Sequence, residues 1–200
     1  MAESETSICN MALSGIGAKT IVSYDDATDN SPGAKQSRLH YEQTRDSLQE
    51  SHWWRFNGAR KILSEFDDIP VANDFHWEHW FTLPADFLAM RYPYEEDTPG
   101  RPHNYSYNLE GDYFQTNESA AKIVYSKKVT DPAKFSPLFV ELLVLSLQVK
   151  FAMGLGSDLK MKEAVKDDLA KMMVKVRAFN RQQTNTVGSA DRGPWVNARY

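Results

Sequence analysis

The segment Ser14-Gly15-Ile16-Gly17-Ala18-Lys19-Thr20 carries the glycines, lysine and threonine of a phosphate-cradling loop. Such a loop needs its lysine directly after the last glycine, so that backbone N–H groups and the ammonium converge on phosphate, and it follows a strand. Here Ala18 intervenes and a helical pattern precedes, so the segment reads as a helix stop. His76-Trp77-Glu78-His79 offers two imidazoles at i and i+3, which a strand points to opposite faces, whereas a helical zinc pair needs i and i+4. Two carboxylate groups could hold a hard cation, Asp25, Asp26 and Asp29 in one stretch and Glu95, Glu96 and Asp97 in another, but a charge run is ordinarily a solvated loop. Cys9 lies at helical spacing near Met11 and Ala12 and reads as a small buried apolar residue. No serine stands in a strand-to-helix elbow, and no carboxylate pair singles itself out for glycoside chemistry. The sequons Asn104-Tyr105-Ser106 and Asn117-Glu118-Ser119 matter only in an exported chain. The expectation is a chain with no catalytic residue, no cofactor and no metal.

The elements around these residues are legible in part. Residues 4–14 read as a short helix, with Ile8, Met11 and Ala12 at helical spacing and Gly15 and Gly17 as its stop. Asn30 or Ser31 ahead of Pro32 starts a second helix that runs to about residue 50. On it Ala34, Leu39, Tyr41, Thr44, Arg45 and Leu48 form a mixed face, polar enough to be shared between a core and a neighbour. From 53 to 117 the texture changes to short aromatic runs cut by Pro, Gly, Asn and Asp, the pattern of strands and turns. Strands are predicted at 75–83, 87–94, 103–109, 113–116 and 122–128, with Glu110-Gly111-Asp112 as a hairpin turn. Residues 55–63 fit helix or strand equally. Asp131-Pro132 opens a third helix, apolar nearly all round and therefore central. Gly154 and Gly156 end it, and Ser157 or Asp158 caps a fourth that runs to about 181. No internal repeat is present.

The fold class predicted is α+β. Residues 1–52 and 130–181 form a helical bundle, 53–129 a β-rich insertion, and 182–200 an extended arm without periodicity. That arm ends in Pro194-Trp195-Val196-Asn197-Ala198-Arg199-Tyr200, too aromatic for a solvated tail. With 27 acidic against 23 basic residues the net charge is −4, which runs against a sequence-reading DNA binder. The single cysteine forms no internal disulfide, and Glu3 and Glu5 stand where a signal peptide would be basic. No apolar run approaches the roughly 18 residues of a membrane span. These features predict a soluble chain in a reducing compartment, with no membrane partner. Five tryptophans, several in loop-like stretches, favour contact with other proteins.

Three segments, in order, carry a family likeness. Ile8-Cys9-Asn10-Met11-Ala12-Leu13 with Ile16-Gly17-Ala18 is like an opening "ICN-AL--IGA". Tyr41, Arg45-Asp46 and Leu48, then Trp53, Phe56-Asn57 and Ala59, are like "Y---RD-LL--HPWNFA", although His52 stands where Pro is common and Trp54 where Asn is usual. Leu83-Pro84-Ala85-Asp86 with Leu88 is like "Y-LPADCLR". Leu109-Glu110-Gly111, Val124-Tyr125, and Thr130-Asp131 with Phe135 are weaker landmarks. Together they resemble the tail tubular protein A family of short-tailed bacteriophages, the portal–tail adaptor, over most of the chain to about residue 181. The resemblance implies a non-enzymatic virion protein, made in the host cytoplasm. It implies a helical bundle with a β insertion and a ring of about twelve copies between the portal and the tail nozzle or tube, through which genomic DNA passes without being read. Within that frame Arg192, Pro194, Trp195, Arg199 and Tyr200 are expected to anchor the arm on the portal, and Tyr41, Arg45, Trp53 and Trp54 to lie at the subunit interface. Asp25, Asp26 and Asp29, or Glu95, Glu96 and Asp97, are expected to face the channel, where repeated negative charge would keep DNA from sticking. The alternatives are a head-completion or tail terminator ring elsewhere in the virion, and an enzyme such as a tail-borne peptidoglycan hydrolase.

Overall fold

A computed structural model of the chain describes residues 4–67, 77–94, 106–156 and 159–183. Among these residues the fold is mixed α+β, with four α-helices and antiparallel strands in two sheets.

α1 (Glu5–Gly15) begins at Ser4, whose side chain accepts the Ser7 N–H at 3.0 Å. Its end is the predicted stop. Gly17 takes φ +72°, its N–H donates to the Ser14 carbonyl, and the Ala18 N–H reaches the Leu13 carbonyl at 2.9 Å. This two-bond closure satisfies the last carbonyls of the helix. α2 (Pro32–Ser51) is capped by Ser31, with Pro32 where its missing N–H has no helical partner to lose.

α3 (Pro137–Gly154) departs from expectation at its start. Asp131 caps only a 3-10 turn, Pro132–Lys134, and the helix opens at Ser136, whose hydroxyl accepts the Phe139 N–H at 3.4 Å. Pro137 is the reason: it drives the preceding residue into extended geometry, so a helix opened at Asp131 cannot run through it. Gly156, at φ +73°, turns the chain into α4 (Leu159–Gln183). The predicted cap, Ser157 or Asp158, lies outside the described residues.

By length and composition alone α3 could cross a membrane, which corrects the expectation that no run is long and apolar enough. In the fold one face of it is core. Phe139, Leu142, Leu143, Leu147 and Phe151 are buried and share a cluster with Ile8 and Leu13 of α1, Ala34 and Tyr41 of α2, and Val165, Met172 and Val176 of α4. α1 and α2 approach closely beside this cluster. A Cβ on Gly33 would lie 3.3 Å from both the Leu13 side chain and the Lys19 carbonyl.

Residues 55–63, ambiguous in sequence, become a turn and then β1 (Gly58–Ile62). β2 (Ser64–Glu65), β3 (His79–Thr82), β4 (Phe87–Pro93), β5 (Tyr107–Glu110), β6 (Tyr113–Thr116) and β7 (Lys122–Lys127) follow. They form two antiparallel sheets, ordered β1-β7-β4 and β2-β3-β6-β5. Leu63 passes the chain from one sheet to the other and joins Phe81, Phe114, Ile123 and Tyr125 in a second core. Gly111, at φ +56°, closes the β5–β6 hairpin as its sequence predicted. The predicted strand ends at 75–76 and 103–105 fall outside the described residues.

Candidate assembly interface

The helices and sheets meet at a joint built from side chains. Gln49 on α2 is bound twice to the Val129 backbone, donating to its carbonyl at 2.8 Å and accepting its N–H at 2.9 Å. Asn57 donates to the Gln49 carbonyl at 3.1 Å. Arg91, skipped by the β4–β7 ladder where the register shifts between Met90 and Tyr92, turns toward the helices. It donates to the Trp54 carbonyl, to Asn57 Oδ1 at 2.7 Å and to Ser126 Oγ at 3.1 Å. Asp86, from the Leu-Pro-Ala-Asp turn, accepts the Tyr125 hydroxyl at 2.9 Å, and its carbonyl accepts the Lys128 N–H.

Arg45 and Asp46 belong to the same joint. Arg45 Nε contacts Asp46 Oδ1 at 2.8 Å, its guanidinium lies 3.7 Å from Glu5 on α1, and Lys128 Nζ meets Asp46 Oδ2 at 2.7 Å. Burial pushes the Asp46 carboxyl up, but its hydrogen bonds to Arg45 and Lys128 and their charges outweigh this and hold it below the usual carboxylate range. Glu5 goes the other way, raised chiefly by burial despite the nearby Arg45.

This geometry corrects most of the expected subunit interface. Tyr41 is fully buried and Arg45 and Trp54 are each 2% exposed, all within their own chain; of the three only Trp54 reaches a surface, in the lining of a groove. Tyr41 and Arg45 face inward because the buried stripe of α2 runs through Ala34, Ser37, Tyr41, Thr44, Arg45 and Gln49, while Leu39 points outward. Trp54 packs edge-on to Phe139 at 5.0 Å and donates its indole N–H to the Leu48 carbonyl. Trp53 alone of the four is exposed, at 53%.

The acidic loop before α2 is ordered by its own hydrogen bonds. Asp26 accepts the Thr28 N–H and hydroxyl, Asp29 accepts the Ser31 N–H, and Arg38 donates to the carbonyls of Asp26 and Asp29 at 2.7 Å. These bonds hold both carboxyls below their usual range. Asp25 and Asp26 are exposed, and Asp29 is half-buried. Glu95, Glu96 and Asp97, and the arm residues Arg192, Pro194, Trp195, Arg199 and Tyr200, lie outside the described residues.

The side chains best suited to chemistry are engaged or buried. Cys9 sits in the core, where burial pushes its thiol up to about 12, away from nucleophilic use at neutral pH. His79 Nδ1 lies 2.6 Å from Glu65 across β2 and β3, and His76 is outside the described residues. Among the described residues no group of three or more His, Cys, Asp or Glu is placed to hold a metal.

Sequence reasoning missed two hollows at opposite ends of α3. At its first turn a groove of about 440 Å³ opens between Trp54, Phe56, Pro137, Leu138, Lys175 and Phe179. At its last turn a second hollow of about 350 Å³ has a mixed lining, with Ala18, Ile21, Val22, Pro32 and Leu155 beside Lys19, Thr20, Asp29 and Ser31. Val22 is 95% exposed there, and Leu39 and Met153 are also outward. An 18-residue helix separates the two surfaces by about 27 Å. The sequence held one signal: Phe179 continues the stripe Val165, Leu169, Met172 and Val176, yet it is 42% exposed beside the first turn of α3. Comparison with known proteins finds no family model that matches this chain and no similar curated protein.

Proposed function

We propose that this chain is a structural virion protein, a subunit of the adaptor ring that joins the portal of a short-tailed bacteriophage to its tail. The observation that carries the reading is the pair of unlike hollows at the two ends of α3, an apolar one around Trp54, Phe56 and Phe179 and a mixed one around Val22, Asp29 and Leu155. A closed ring uses heterologous contacts, so each subunit needs two different complementary faces, and a single patch would stop at a dimer. The family-like segments support the same reading, because they build one joint. α1 is tied to α2 through Glu5 and Arg45, and Asn57 and Asp86 meet at the end of β7 through Lys127 and Lys128. In this reading the helices form the bundle, the sheets its insertion, and 184–200 an arm whose Trp195, Arg199 and Tyr200 anchor on the portal. The loop carrying Asp25, Asp26 and Asp29, or that carrying Glu95, Glu96 and Asp97, lines the channel.

Light scattering and negative-stain microscopy on the protein alone, and with the portal protein of the same virus, test this. A ring of about twelve copies capping the portal is the expected result; a monomer that ignores the portal would remove the adaptor role. Deleting residues 190–200 is expected to abolish portal binding while leaving the fold intact, read from circular dichroism.

A further inference from the structure

The groove at the first turn of α3 is largely apolar. Trp54, Phe56, Pro137, Leu138 and Phe179 line it, with Arg55, Ser136 and Lys175 beside them. Phe179 is 42% exposed, a large aromatic surface left to water near the end of α4. At about 440 Å³ the groove has the size of a small-ligand site and admits an aromatic side chain with its neighbour.

The position of the groove singles out its occupant. α4 ends at Gln183, four residues and about 6 Å past Phe179, so the chain from 184 onward starts at the lip of the groove. That stretch is polar through Thr184-Asn185-Thr186-Val187-Gly188-Ser189-Ala190 and then offers Pro194-Trp195-Val196. The eleven residues 184–194 reach up to about 36 Å when extended, ample to double back to a groove this near. Such a tether gives an effective concentration in the millimolar range, so a contact of modest affinity is closed most of the time within the chain. We propose that Pro194-Trp195-Val196 of the same chain seats in this groove, with the Trp195 indole between Phe56 and Phe179. Seated there, Trp195 is withheld from other surfaces until a partner displaces it, so the contact acts as an internal latch. The latch does not require the adaptor reading and stands if that reading fails.

Hydrogen exchange on the full-length protein at low micromolar concentration tests the latch. The amides of 194–198 are expected to exchange at least about fivefold more slowly in the unaltered protein than in Phe179→Ser, an exposed position whose change leaves the core intact. A fluorescent peptide spanning residues 191–200 is expected to bind full-length Trp195→Ala, whose groove is vacated, and not the unaltered protein. Equal exchange in the unaltered protein and Phe179→Ser, or equal peptide binding by the unaltered protein and Trp195→Ala, would overturn the proposal. Protection that grows with protein concentration would assign the groove to a neighbouring copy and overturn it as well.

Discussion

At the scale of single residues, the polar groups of α2 decide more than its apolar ones. The Tyr41 ring is fully buried beside Arg45, whose guanidinium lies 5.8 Å from its centroid, yet among the described residues the Tyr41 hydroxyl has no hydrogen-bond partner. An unpaired buried hydroxyl is a desolvation cost without a return. Tyr41→Phe is therefore expected to be neutral or to stabilise by up to about 1 kcal/mol, read from the urea midpoint. Asp46 carries the opposite lesson. Its carboxyl is held below the usual range, so the stability it supplies is present above the unfolded-state value of about 4 and is lost as pH falls through its lowered folded value. Asp46→Asn should thus be less stable than the unaltered protein at neutral pH, and urea titrations should show the gap closing in strong acid. Glu5 has the reverse sign, since its raised carboxyl adds stability as it takes up a proton, and it blunts the acid loss.

At the scale of elements, the joint between α2 and the strands rests on Gln49, fully buried and bonded on both ends of its amide to Val129. Gln49→Leu keeps the volume but orphans a buried N–H and a buried C=O, and is expected to cost about 2 to 4 kcal/mol in urea unfolding. The stop of α1 rests on Gly17, where a Cβ would meet nothing but the backbone is left-handed. Gly17→Ala should cost about 1 to 2 kcal/mol through conformation alone. Most element boundaries were legible because they depend on neighbours in sequence: Ser4, Ser31 and Gly17 cap or stop helices by bonds within a few residues. The start of α3 was misplaced because two Pro-led starts follow each other, and the second overrides the first. Residues 55–63 were undecidable locally, since β1 exists only by pairing with β7, a partner far along the chain.

At the scale of the whole molecule, the adjacent tryptophans separate folding from the proposed ring assembly. Trp53 is exposed, so Trp53→Ser should leave the urea midpoint within about 0.5 kcal/mol of the unaltered value while reducing the assembled fraction in light scattering. Trp54 fills the core against Phe139, so Trp54→Ala should cost about 3 to 5 kcal/mol. If Trp53→Ser assembled as the unaltered protein does, Trp53 would not be a ring contact. The sequence by itself determined the mixed α+β class, the four helices, the hairpin at Gly111 and the buried character of Cys9, because periodicity, caps and turn residues act over a few positions. Only the tertiary structure decided which of Tyr41, Arg45, Trp53 and Trp54 faces out, and that hollows stand at both ends of α3. Exposure depends on what the rest of the chain lays over a residue, and Phe179 is left part-exposed where spacing alone predicts burial.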